Sequence, residues 1–360
     1  MHGQRKHHHQ HQQDGSAPAF DHAACMRYLH AYDKKTSQTE EKHQVLTAPE
    51  VVEFPSFDCS KPGLHAGKAY LEQHGYAVFT NVLSKEEIEK AEELFWDYIE
   101  GIPERMGMDL KALQEYLQGG WPRRGEPSTW DTKFWPADPK TGIIWRYGAG
   151  QSPFSWYIRT RPKVKAVFSA IWETDDLLTS FDGFNVFRPW QNKPEWRTQP
   201  SWYHLDQNAV TKPGFECAQG LVALTAATGA TGGLAVVPGS HRRFAAHSAW
   251  GELAARQKNH RDFLVLPPGH PALDPAHKDY VRPRLVTCGA GDLCLWDSRT
   301  VHCNVPGQWR RRPPPCSATS PPPPPPPPAA ARGAARAGEE KGEGGPAPSV
   351  PAAAPPAAAA

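Results

Sequence analysis

Trp202-Tyr203-His204-Leu205-Asp206 places an imidazole and a carboxylate two residues apart inside an aromatic stretch. Strand side chains alternate between faces, so His204 and Asp206 share one face while Leu205 takes the other. Such a pair can chelate one metal ion, and a second histidine from a neighbouring strand completes a facial triad with three open positions. Those positions suit oxygen chemistry: two for the keto and carboxylate oxygens of a 2-oxo acid, one for O₂. The fitting partner is His302, at the far end of a hairpin in Gly291-Asp-Leu-Cys-Leu-Trp-Asp-Ser-Arg-Thr-Val-His302-Cys-Asn304. Taken alone, His302 reads equally well as a buried histidine satisfied by backbone. The upstream strand pair favours the ligand reading.

The H-x-D pattern is weak without such a strand. His260-Arg-Asp262 and His277-Lys-Asp279 repeat it in polar, proline-flanked segments, where the ordinary surface reading holds. His260-Arg261-Asp262 also matches the start of a kinase catalytic loop, but Pro267 stands where its asparagine belongs. Asn304 shares the strand face of His302 and is a candidate to hydrogen-bond a co-substrate, or else a strand-end cap. Gln207 is a candidate to orient the ligands. Trp190, Trp196, Trp202 and Tyr203 line a substrate cleft or, more commonly for such aromatics, the core. Arg188 either meets an anionic substrate or is a solvated arginine. Pro238-Gly-Ser-His241 closes a strand with no assigned chemistry.

The elements that must position these groups follow from periodicity. Gly75-Tyr-Ala-Val-Phe79 predicts a strand entered from a short helix around Tyr70–Leu71. Leu83-Ser84-Lys85-Glu86-Glu87-Ile88 supplies a staple residue, an N-cap and a capping-box glutamate. Ile88, Ala91, Phe95, Tyr98 and Ile99 then recur at helical spacing. Pro162 to Trp172 predicts a second helix with proline in its first turn. From residue 177 the period changes to short apolar runs: Leu177–Phe187, Trp202–Asp206, Gly220–Leu224, Gly233–Val237, Leu285–Thr287 and Leu293–Asp297. Turn-forming residues separate them, which argues for a β-sandwich or barrel with flanking helices. Arg242 to Arg284 breaks the pattern and reads as an insertion shaping specificity.

Bulk composition sets bounds. The 360 residues carry a net charge of +2, with no basic stripe interleaved with aromatics, so nucleic acid is not a favoured partner and a small molecule is. No apolar run is long enough to span a bilayer, and no signal core opens the chain. Seven cysteines without a CxxC pair predict reduced thiols and a cytoplasmic location. Residues 1–45, with His7, His8, His9 and His11 among glutamines, read as a disordered segment. Residues 46–312 form the folded domain, with 242–284 inserted. Residues 313–360 form a Pro/Ala-rich tail, including the run Pro321 to Pro328, that contributes no sheet strand.

Trp202-Tyr-His-Leu-Asp-Gln207, Thr231-Gly-Gly-Leu-Ala-Val-Val-Pro-Gly-Ser-His241 and the Gly291–His302 segment together resemble the phytanoyl-CoA dioxygenase family of iron(II)/2-oxoglutarate oxygenases, over roughly residues 65–312. The resemblance implies a double-stranded β-helix (a cupin-like jelly-roll) and iron(II) ligation by His204, Asp206 and His302. It also implies 2-oxoglutarate and O₂ as co-substrates, with succinate and CO₂ released and hydroxylation as the usual outcome. Asp206 at the third ligand position disfavours the halogenase variant. The family further places an arginine after the distal histidine to pair with 2-oxoglutarate. Arg310, Arg311 and Arg312 are candidates, and Arg312 is nearest the expected spacing.

Here the sequence departs from the pattern, because Pro313-Pro-Pro315 replaces the strand that should continue. Two readings stay open: a tail appended to a shortened barrel, or an end read out of frame. Proline's inability to join a ladder favours the second. The rival to an oxygenase is a catalytically incomplete jelly-roll that binds metal or ligand and lacks its last strand. A cupin of different chemistry would use more histidines and a glutamate.

Overall fold

The short apolar runs become strands because each can bury alternate residues on two faces once stacked against a second sheet. The computed structural model describes residues 48–307, except 110, 112–119, 191–192, 245–261, 268 and 279, together with the backbone of 331–337. The first strands are β1 (Glu50–Val51), β2 (Tyr76–Phe79), β3 (Ile143–Ile144), β4 (Leu177–Thr179), β5 (Phe184–Asn185) and β6 (His204–Asp206). Then follow β7 (Ala218–Val222), β8 (Gly232–Val236), β9 (Phe263–Val265), β10 (Arg284–Leu285), β11 (Leu293–Asp297), β12 (His302–Pro306) and β13 (Ala331–Ala337). One sheet runs β1-β10-β8-β12-β6-β9 and the other β2-β11-β7-β13-β5-β3, with β4 also on β13. This is the jelly-roll architecture the sequence predicts.

The helices are α1 (Lys61–His74), α2 (Lys85–Glu100), α3 (Ile102–Arg105), α4 (Pro153–Arg159) and α5 (Pro162–Trp172). Ser84 and Glu87 form the predicted capping box at the start of α2. Ala91, Phe95, Tyr98 and Ile99 of α2 and Val164, Val167, Phe168 and Ile171 of α5 pack on the outer face of the second sheet. Between the sheets lie Tyr76, Val78, Leu221, Leu234, Val236, Cys294 and Trp296. A third cluster, including Tyr203, Leu205, Cys303 and Val305, covers the outer face of the first sheet. Both faces of each sheet are therefore buried at the centre, which explains why the strands read as continuous apolar runs.

Two expectations need correction. The sequence reading bars every residue after Arg312 from the sheet, yet β13 lies between β7 and β5, with Ala331 opposite Val222 and Ala335 opposite Ala218. Proline excludes a segment from a central ladder, but Ala331–Ala337 contains none. The edge of β7 is a row of backbone donors and acceptors, and a proline-free stretch satisfies them through its own main chain. The position of the supposedly missing last strand is thus filled. The second correction concerns the 242–284 insertion. It includes β9, which pairs with β6 in the register His204 to Val265 and Asp206 to Phe263. Residues 1–45, Arg310–Arg312 and the proline run lie outside the described residues.

Candidate metal centre and its cleft

Tyr203, just before β6, and Leu205 within it enter the outer cluster, so strand alternation sends His204 and Asp206 towards the space between the sheets. β12 places His302 directly opposite His204 in an antiparallel pair. Opposed residues in such a pair have neighbouring Cβ atoms, and the two imidazole centroids lie 4.2 Å apart. Asp206 completes the group: Oδ1 is 3.5 Å from His204 Nε2, and Oδ2 is 3.3 Å from His302 Nε2. One ligand atom from each residue falls within 4.8 Å of the others.

Each histidine is oriented by its other nitrogen. His204 Nδ1 sits 3.2 Å from the Trp202 carbonyl and His302 Nδ1 sits 2.8 Å from the Thr300 carbonyl. A carbonyl only accepts, so each ring donates to it from Nδ1 and turns Nε2 to the centre, where Nε2 donates to Asp206 when it carries a proton and would bind a metal ion when it does not. The Trp202 indole stacks on the His204 ring at 4.6 Å and 5°. Its N–H donates to the Asn304 carbonyl at 3.1 Å, which locks the stack across the two strands. Burial alone would push the Asp206 carboxyl up; the imidazoles of His204 and His302 outweigh it and hold the group well below the usual carboxylate range.

Two imidazole nitrogens and one carboxylate oxygen, with no thiolate, form a facial donor set that suits non-haem iron(II). Cis ligands at about 2.1 Å from an ion are about 3.0 Å apart, so the separations of 3.3 and 3.5 Å need only small closure. The residues present fit the metal.

The turn that delivers His302 is anchored from several directions. Arg299 donates to both carboxylate oxygens of the buried Asp297, Nη2 to Oδ2 at 2.6 Å and Nε to Oδ1 at 3.0 Å. Thr300 Oγ1 donates to the Gly75 carbonyl at 2.9 Å, and Val301 N–H donates to Ser240 Oγ at 2.9 Å. Gly75 has φ +82°, and a Cβ there would lie 2.5 Å from both Thr300 Oγ1 and His241 Nδ1. Pro238-Gly-Ser-His241, to which the sequence assigns no chemistry, therefore helps hold the hairpin.

Gln207 does not orient the ligands directly. Its amide donates to the Lys212 and Gly214 carbonyls at 2.6 Å each and accepts from Ser298 Oγ at 2.6 Å, tying the β6–β7 loop to the β11–β12 turn. The residue that holds Asp206 is Gln219 on β7, whose Nε2 donates to Oδ2 at 2.7 Å. Sequence reasoning missed it because Gln219 belongs to the facing sheet, and nothing in its neighbourhood along the chain signals a ligand.

The centre opens into a cavity of about 580 Å³ lined by Trp145, Leu178, Trp202, Gln219 and Phe263, among others. Of the aromatics weighed from sequence, Trp202 lines this cavity, Trp196 and Tyr203 are core, and Trp190 packs against the core. Arg188 is neither solvated nor at the mouth. It is 7% exposed, donates to the Trp130 carbonyl at 2.7 Å and lies over the rings of Trp135 and Trp196. Burial pushes its pKa down to about 10. Asn304 is buried on β12 two positions beyond His302. Asp262 is not a detached surface residue: it lines the cavity, with Oδ2 2.6 Å from Lys212 Nζ. His260 and Asp279 lie outside the described residues.

A two-sheet jelly-roll carrying a His-Asp-His group at the mouth of its interior defines a mononuclear metal protein. A family model described as phytanoyl-CoA dioxygenase (PhyH) matches residues 71–306, and the chain belongs to that family. It is similar to the Ava biosynthesis cluster protein O of Aspergillus versicolor, at 31% identity over 211 residues, covering 56% of this chain and 65% of that protein. The chain thus spans just under two thirds of that relative's length. Among solved structures it is similar to the non-heme alpha-ketoglutarate-dependent carbocyclase SnoK of nogalamycin biosynthesis, at 18% identity and TM-score 0.43, covering 79% of this chain and 86% of that one. It is also similar to EctD from S. alaskensis, crystallised with 2-oxoglutarate and 5-hydroxyectoine, at 14% identity and TM-score 0.45, covering 81% and 80%.

Proposed function

We propose that this protein is an iron(II)- and 2-oxoglutarate-dependent oxygenase that hydroxylates a small or lipid-like organic molecule. In that reaction 2-oxoglutarate, O₂ and a substrate C–H yield succinate, CO₂ and the corresponding alcohol, so every oxygen atom is accounted for. The observation that carries the reading is the convergence of His204 Nε2, His302 Nε2 and the Asp206 carboxylate within 4.8 Å at the base of a cavity of about 580 Å³. Bound there, iron(II) would supply open positions for a 2-oxo acid and O₂.

This chain's own residues do the positioning. The Trp202 and Thr300 carbonyls orient each ring through Nδ1, and Gln219 holds one carboxylate oxygen. We assign Asn304, buried beside the centre, to the co-substrate, and keep Arg312 as the partner of its distal carboxylate. Among the described residues no helix is long and apolar enough to cross a membrane. We place the protein in the cytoplasm, which the unbridged thiols of Cys59, Cys288 and Cys294 support.

The test is anaerobic addition of iron(II) and then 2-oxoglutarate, watched for the weak visible charge-transfer band of the chelate. Wild type and Asp262→Ala should show the band, and His204→Ala should lose it. A band that survives in His204→Ala overturns the ligand assignment.

A further inference from the structure

The cleft above the metal ligands is walled by rings and carries no described cation. Trp145, just after β3, is 58% exposed, and Phe263, opening β9, is 49% exposed; both line the cavity. The Phe263 ring lies 4.9 Å from the His204 ring, whose other neighbour is the stacked indole of Trp202. Leu178 of β4, 61% exposed, adds a further apolar surface. Large apolar groups left open around a concave site mark a ligand-binding groove, since covering them releases ordered water.

Charge narrows the ligand further. The ionisable side chains other than the ligand group that line the cavity, among the described residues, are Asp182, Asp262 and the thiol of Cys217. Asp262 is matched by Lys212 at 2.6 Å, while the guanidinium of Arg146 lies 4.7 Å over the Trp145 ring at the rim. Beyond the co-substrate's distal carboxylate, for which Arg312 is kept, a phosphate or carboxylate on the substrate needs paired donors of its own, ideally a guanidinium fork. The described walls offer none, and Asp182 would repel it. A cavity of about 580 Å³ also has room for a co-substrate and a second, multi-ring molecule.

We infer that the substrate of this site is a flat, uncharged aromatic or polycyclic molecule, with Trp145 and Phe263 as the residues that select it, rather than a phosphate-bearing thioester or a flexible chain. The inference rests on the oxygenase reading for the location of the reacting end. Ring-on-ring contact adds about two- to tenfold in affinity per face beyond the area buried, which a flexible chain of equal area does not gain.

The probes are 2-naphthalenemethanol, its phosphate ester and 1-decanol, titrated calorimetrically into the full chain loaded anaerobically with iron(II) and 2-oxoglutarate. Naphthalenemethanol should bind about tenfold tighter than its phosphate ester and about threefold tighter than decanol. Trp145→Ala and Phe263→Ala should each weaken it about two- to tenfold while leaving the 2-oxoglutarate band intact. Equal or tighter binding of the ester or of decanol overturns the inference, as does wild-type affinity in either alanine variant. The same samples separate the two readings: a missing band counts against the iron centre, whereas lost discrimination under an intact band counts against the aromatic cleft.

Discussion

β6 and the β11–β12 hairpin each deliver histidine to the same centre, by different physics. β6 does so locally: alternation along one strand puts His204 and Asp206 on one face, and Trp202, two residues earlier, stacks on the His204 ring. The hairpin does so through distant anchors. Gly75 from the end of α1 and Ser240 after β8 hold Thr300 and Val301, and Asp297 with Arg299 stiffens the turn. A ligand placed by strand alternation tolerates change in its surroundings. A ligand placed by a turn is only as well positioned as the turn's contacts.

That contrast sets the order of expected effects. Gly75→Ala should be the most damaging, because the new Cβ meets Thr300 and His241 at 2.5 Å in a backbone conformation side chains avoid. A loss of about 3 kcal/mol in urea unfolding is expected, with weakened iron binding. Wild-type stability in this variant would mean that the hairpin adjusts freely and that the contrast with β6 is false.

Gln219→Leu comes next. It removes the N–H that holds Asp206 Oδ2 while keeping similar volume. Iron(II) affinity, measured by competition with a chelator, should fall about tenfold with little change in unfolding free energy. Unchanged affinity would show that strand alternation alone suffices for Asp206.

The smallest effect concerns pH. Burial lowers the pKa of His74, helped by Arg242 and Arg284, and burial likewise lowers that of His241, whose Nε2 lies 3.0 Å from the Glu72 carbonyl. A folded pKa below the unfolded value of about 6.5 gives stability that is fully present above that value and lost as pH falls through the folded value. With the contribution of the more exposed His74 discounted for solvent screening, the protein should weaken by about 1 kcal/mol between pH 7.5 and 5.5, and His241→Asn should lose most of that slope. An unchanged slope in His241→Asn would remove this residue from the anchor.

The convergence of His204, Asp206 and His302 was legible in the sequence because their spacing follows the period of 2 of a strand. His204-x-Asp206 in an aromatic strand and His302 at a hairpin end are local patterns, and local patterns survive in one dimension. The capping box at Ser84–Glu87 and the helix from Pro162 to Trp172 were legible for the same reason. Arg188 misled because an arginine at a strand end looks solvated until Trp135 and Trp196 are folded around it.

The sequence by itself determined which side chains are candidates for chemistry and which faces are apolar, since both follow from residue type and the repeat of the backbone. Only the tertiary structure decided that His204 and His302 share one register position, that Gln219 crosses from the facing sheet to Asp206, and that Ala331–Ala337 joins β7. Each of these depends on which strands become neighbours. Strand neighbours are settled by the burial of whole faces and the pairing of whole edges, sums over many residues that no short stretch encodes.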